Sequence, residues 1–167
     1  MEATLIVNGR DIKVQISQEE YKKLTKASKT GYERVGYNET FYVVNDKGNV
    51  GKWTDLDYEC NKAVYEEANY YTDRNLAEAN ARADKLMRNL RRFSVEHRSA
   101  EFRWGANTPR KWFIQYDYSA NQIRPVYNIN VKYFAIICFE TEEIAEAAIK
   151  EFHDELIWYF TKYKDSL

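Results

Sequence analysis

Cysteine, histidine and proline are scarce in this chain, with two of each among 167 residues, and there are only six glycines. Cys60 sits in a polar stretch and Cys138 inside Ile136-Ile137-Cys138-Phe139, so they read as one incidental thiol and one buried one, not a disulfide framework. Cys-x-x-Cys and His-Glu-x-x-His are absent, as are a Gly-rich phosphate loop and a Gly-x-Gly-x-x-Gly turn. The usual signatures of zinc, dinucleotide and nucleoside triphosphate sites are therefore missing. His97 and His153 are the only possible imidazole bases. Both read as helix-end or surface side chains, because catalysis would need a converging partner group. The longest apolar run, Tyr133 to Phe139, is seven residues, whereas a membrane helix needs about 20. Met1-Glu2-Ala3-Thr4 begins no basic-then-apolar leader, so the cytoplasm is the expected compartment, with no membrane partner. No cofactor and no metal is expected, and an enzyme is the weaker class. A hydrolase stands third, because abundant carboxylates make a two-acid site indistinguishable from solvated surface.

Aromatic residues are what the chain has in excess: 14 Tyr, 8 Phe and 4 Trp make 16% of it. That content, with 25 Lys+Arg balanced by 26 Asp+Glu, is unlike a disordered chain. The length suits one domain.

Thr4 to Ile16 reads as a hairpin, with Asn8-Gly9 at the turn and Ile12, Val14 and Ile16 alternating with polar residues. Ser17 and Glu20 form a capping box that opens a helix running to about Ser28. A divergent internal repeat follows. One copy runs from Phe41-Tyr42-Val43-Val44 through a turn at Asn45 to Asn49 into a helix after Tyr70-Tyr71. The other runs from Trp112-Phe113-Ile114 through Ser119 to Gln122 into a helix after Cys138-Phe139. The helix entries are 68 residues apart and the strand openings 71. Asp73 caps a helix with Leu76, Ala79, Ala83, Leu86, Leu90 and Phe93 on its apolar face, ending near His97. Thr141 caps the other, striped by Ile144, Ala148, Phe152, Leu156 and Phe160. The expected fold is α+β, one domain over 1–167. Its parts are a hairpin plus helix (1–30) and two strand-strand-helix units (38–97 and 110–164), with helices covering an antiparallel sheet.

Net charge hides a polarity. From Arg82 to Lys111 nine bases face three acids, while from Glu140 to Glu155 seven acids face one lysine. The two charged helices either stay solvated or pair across the fold. Alternatively the basic face and the loop Phe102-Arg103-Trp104 to Arg110-Lys111-Trp112 form a footprint for a partner. Arg88, Arg91, Arg92, Arg103 and Trp104 are the candidate contacts, with Tyr70 and Tyr71 secondary. Arginine beside aromatics suits an acidic protein or a nucleic acid, which makes a nucleic-acid-binding module the alternative reading. Tyr58, Tyr65, Tyr70 and Tyr71, set between polar residues in a segment of weak strand periodicity, are better contact candidates than Trp112 or Phe113, since Tyr and Trp dominate protein interfaces, with core or sheet packing the leading reading for each.

The Asn-Gly hairpin with its Ser-x-x-Glu helix, then Thr30-Gly31-Tyr32-Glu33-Arg34-Val35, resembles a family of small proteins encoded by bacteriophages and prophages. Asn69-Tyr70-Tyr71-Thr72, Leu76-Ala77-Glu78-Ala79, Met87 to Phe93 and Lys111-Trp112-Phe113-Ile114 extend the resemblance over most of the chain. It lends no catalytic residues. It implies a non-enzymatic binding protein that inhibits a host protein or ribonucleoprotein, such as a CRISPR effector, by occupying its surface. The oligomeric state is left open.

Overall fold

Asn8 and Gly9 alone separate two strands, Glu2–Val7 (β1) and Arg10–Gln15 (β2), which pair antiparallel with Val7 opposite Arg10. The computed structural model describes residues 2–7, 10–15, 17, 19, 30–102, 110–128 and 137–163. The helix expected after Ser17 lies outside the described residues.

A second hairpin joins Thr40–Val44 (β3) to Val50–Thr54 (β4), with Phe41 opposite Trp53. Its turn is held by Asn45, whose Oδ1 accepts from the backbone of Lys47 and Asn49 at 3.0 Å each. A third joins Lys111–Asp117 (β5) to Gln122–Asn128 (β6). Asp117 does the same work in that turn, accepting from the backbone N–H of Ser119 at 3.0 Å and Ala120 at 3.2 Å. Such side-chain acceptors mimic the backbone bonds of a turn, which is why Asn and Asp recur there.

The long helix Arg74–His97 (α2) starts where the cap signal places it: Asp73 Oδ1 accepts from Asn75 N at 2.7 Å and Leu76 N at 3.3 Å. Thr141 likewise caps Glu142–Glu151 (α3) through Ile144 N at 3.3 Å. The apolar stripe beyond it does not make one continuous helix. The chain breaks at Phe152, resumes over His153–Trp158 (α4), and ends in a π-helical turn, Tyr159–Tyr163. A short helix, Glu59–Glu66 (α1), occupies the segment that reads as weakly strand-like. Asn61 sets its entry, its Oδ1 accepting from Leu56 N and Tyr58 N at 3.3 Å each.

The second and third hairpins each pair, through one bridge, with the residues that lead into α2 and α3. Tyr42 and Tyr71 exchange both backbone hydrogen bonds, at 2.7 and 3.0 Å; Trp112 and Phe139 do so at 3.0 and 2.8 Å. Tyr71 and Phe139 each lie two residues before the helix cap, and Ala77 and Ala145, 68 apart, are both fully buried. The bridging strand residues Tyr42 and Trp112 lie 70 positions apart, and Phe41, Val43, Lys111 and Phe113 beside them are all buried. A slip of one residue would turn every side chain to the opposite face.

The architecture is α+β, with three two-stranded antiparallel sheets among the described residues where one sheet is expected. The first half of α2 lies on β3 and β4, and its second half meets α3. There Leu86, Leu90 and Phe93 join Phe139, Ala145, Ala148 and Leu156 in the largest buried cluster. Each large side chain so buried contributes about 1.5–3 kcal/mol.

Candidate functional site

Ala77, Ala81, Asp84, Arg88, Arg91 and Val95 recur every three or four residues along α2 and so form one stripe. Its first half is covered. Ala77 sits in a buried cluster with Tyr71 and Leu76, against which Tyr42, Val44 and Val50 of the second hairpin pack, and Ala81 is buried. The hairpin ends at the Asn45–Asn49 turn, and past it Asp84, Arg88, Arg91 and Val95 are exposed. At this step lies a cleft of about 500 Å³, floored by Val44 and Ala81 and flanked by Asn45, Lys47, Lys85 and Arg88. The structure thus joins Arg88 to Lys47, a residue 41 positions earlier that sequence spacing could not associate with it.

Arg92 stands beside this stripe, exposed, its Nε 4.0 Å from Glu96 Oε1. Among the described residues no ion pair engages Arg88 or Arg91, so both guanidinium groups face solvent. Arg82 behaves differently. It reaches Glu155 through Nε at 2.7 Å and Nη2 at 3.1 Å and lies 4.0 Å over the Trp158 ring. The basic segment therefore divides between one arginine that pairs across the fold and a cluster that stays open.

Tyr70 and Tyr71 are not contacts, because only 1% and 6% of their surfaces are exposed. Tyr70 stacks on Phe41, centroids 4.0 Å apart, and Tyr71 makes the bridge to Tyr42. Tyr58 and Tyr65 are the exposed pair. Arg103 and Trp104 lie outside the described residues. Of the flanking loop, Phe102 is buried and so is Lys111, whose Nζ stands 4.2 Å from the Phe102 ring centroid. Lys111 therefore leaves the basic footprint, whereas Arg110 is exposed and lies over Tyr127 at 4.4 Å.

A second polar centre carries no sequence motif. Asp55, 1% exposed, receives Arg34 Nε at 3.0 Å, the Tyr70 hydroxyl at 2.9 Å and Asp57 N at 2.8 Å. Arg34 also holds Asp57 at 2.8 Å. These donors, Arg34 first, keep the Asp55 carboxyl below the usual range, while burial pushes the Tyr70 hydroxyl up to about 12. With the backbone bonds from Asn38 N to Asp55 O and from Asp55 N to Glu39 O, these contacts make the centre a clamp between the 34–39 and 55–58 segments. Residues 30–33 are fixed in a similar way. The Glu33 carboxylate accepts from the Thr30 backbone, from Thr30 Oγ1 at 2.8 Å and from Gly31 N at 3.1 Å. Those hydrogen bonds hold it at about 2.

His97 donates through Nδ1 to Phe93 O, 2.8 Å away, and stacks on the Phe93 ring, while exposed His153 contacts Asp154 at 3.2 Å. Among the described residues no group of three His, Cys, Asp or Glu side chains could hold a metal ion, and no helix is long and apolar enough to cross a membrane. The geometry of this chain is its own guide here, for no protein-family model matches it, and neither does any curated protein or solved structure.

Proposed function

We propose that the protein is a non-enzymatic binding protein whose contact surface is the uncovered half of the α2 stripe. Arg88 and Arg91, with Arg92 beside them, would meet an acidic surface on a host protein or ribonucleoprotein and inhibit it by occupying that surface. One observation carries this reading: the hairpin covers Ala77 and Ala81 but stops short of Arg88 and Arg91, which are exposed and have no ion pair among the described residues, Arg88 lining the cleft. The resemblance to bacteriophage proteins supports a host target, a CRISPR effector being its specific form. The two hairpin, bridge and helix units are read as pseudo-repeats, on the strength of their matching bridges, caps and buried alanines.

The test is affinity capture from a bacterial lysate with the wild type and with the triple variant R88E/R91E/R92E, each with and without nuclease. Capture that survives nuclease and is lost in the variant supports the proposal. Capture abolished by nuclease would instead make the stripe a nucleic-acid contact, whose affinity falls steeply with salt. Equal capture by the variant removes the site.

A further inference from the structure

Carried 68 positions along the chain, the open stripe of α2 lands on a covered one. Ala81, Asp84, Arg88 and Arg91 correspond to Ile149, Phe152, Leu156 and Tyr159 of α3, α4 and the turn after them. Those four belong to the main core, where Leu86, Leu90 and Phe93 of α2 pack against them. Phe152 meets Phe93 edge to face at 5.8 Å. In the second unit, then, this helix face is covered by another helix of the same chain. In the first unit the corresponding face is open, and it carries charge in place of the apolar side chains.

The charge says what could cover it. Lys85, Arg88, Arg91 and Arg92 are all exposed, with Asp84 and Glu96 the acids beside them. Lys47 and Asp46 of the hairpin turn face the same cleft. The complementary surface is acidic, and this chain presents one on a helix. Glu142, Glu143, Glu146 and Glu151 of α3 and Asp154 of α4 are exposed, with Lys150 and His153 the basic side chains beside them. Among the described residues of one molecule, Glu155 alone of these acidic helices forms an ion pair with α2, through Arg82. Since α3 already packs on α2 through its apolar side, its acidic side faces away from its own basic stripe.

We infer that the open basic stripe of α2 takes the acidic outer face of α3 from a second copy of the chain. The contact is between exposed charges, which salt screens over about 8 Å at physiological ionic strength. Self-association is consequently weak, concentration-dependent and strengthened at low salt. It uses the stripe proposed above for a partner, so the two associations compete. The test below contains no partner, and its failure leaves the capture experiment untouched.

Sedimentation velocity over a concentration series, at low and high salt, reads the prediction with three proteins: wild type, R88E/R91E/R92E and E146K/E151K/D154K. The substituted side chains are exposed and leave the Asp73 and Thr141 caps in place, and equal thermal unfolding confirms intact folds. Wild type should grow in mass with concentration at low salt and return to the 19.9 kDa monomer at high salt. Each charge-reversal variant alone should stay monomeric, and mixing the two should restore a heterologous complex, because each supplies the face complementary to the other. Wild type that stays monomeric at low salt overturns the inference. So does association that persists in either variant, or two folded monomeric variants that fail to combine.

Discussion

Arg34 grips Asp55 through two contacts, Nε to Oδ2 at 3.0 Å and Nη2 to Oδ1 at 3.3 Å, and this pair closes the first unit. Asp55 is almost fully buried while the Arg34 side chain is 31% exposed, so solvent stabilises one partner and the protein must stabilise the other. Removing the cation strands a buried carboxylate. Arg34→Leu is expected to cost about 3 kcal/mol, the low end for breaking a buried pair. Tyr70→Phe keeps the stack on Phe41 but removes one donor to Asp55 and the acceptor for Val35 N, at a cost of about 1 kcal/mol. Urea unfolding of the two variants should rank them in that order.

Acid should loosen the segment before α2 through Glu33. Its carboxyl is held at about 2 against an ordinary 4.5, first by the Thr30 backbone N–H, so the folded state binds this proton more weakly than the unfolded chain. For a depressed carboxyl the stabilisation is complete above the unfolded value and is lost as pH falls toward the folded one. Glu33→Gln should therefore be less stable than wild type at neutral pH, and the gap should close between pH 4.5 and about 2. A gap that stays constant over that window would show that the charge of Glu33 contributes nothing.

Gly31 is required by both its backbone and its neighbour. Its φ is +88°, and a Cβ there would stand 2.6 Å from Leu76 Cδ2. Its carbonyl accepts from Thr72 N at 2.8 Å, which leaves the backbone little room to withdraw. Gly48 has φ +79° with nothing within 4 Å of such a Cβ, and so isolates the conformational part. Gly48→Ala should cost about 1 kcal/mol for the left-handed backbone. Gly31→Ala should cost distinctly more, and thermal unfolding of both variants gives the difference due to Leu76.

The elements legible in the sequence are those fixed by local chemistry. Asp73 and Thr141 cap helices because their oxygens accept backbone N–H groups one turn on, an arrangement that needs no distant partner. Asn45 holds its turn for the same reason. The helix Glu59–Glu66 was hidden because its entry depends on Asn61 reaching back to Leu56 and Tyr58, with no Ser, Thr or Asp at the cap. Tyr70 and Tyr71 look like surface residues from their polar neighbours; long-range contacts with Phe41, Asp55 and Tyr42 bury them. Of the candidate site, the arginine cluster could be read from charge and spacing. Its openness could not, because that depends on where β3 and β4 stop along α2.

Arg82 and Arg88 lie six residues apart on one helix and should respond differently to truncation. Arg82 pairs bidentately with Glu155 and covers Trp158, tying α2 to α4, while Arg88 has no ion pair among the described residues. Both members of the Arg82 pair are more than two-fifths exposed, so solvent screens it to about 0.5 kcal/mol. The stack on Trp158 adds about 0.5–1 kcal/mol. Arg82→Ala should thus lower stability by about 1 kcal/mol, with the ionic share shrinking in high salt. Arg82→Lys should recover little of it, because an ammonium can neither fork onto a carboxylate nor lie flat on an indole. Arg88→Ala should fall within about 0.5 kcal/mol of wild type, as surface substitutions do. Denaturant unfolding at two salt concentrations separates the two sites. A large loss at Arg88 would mean that its charge is already engaged in holding the fold and is not free for a partner.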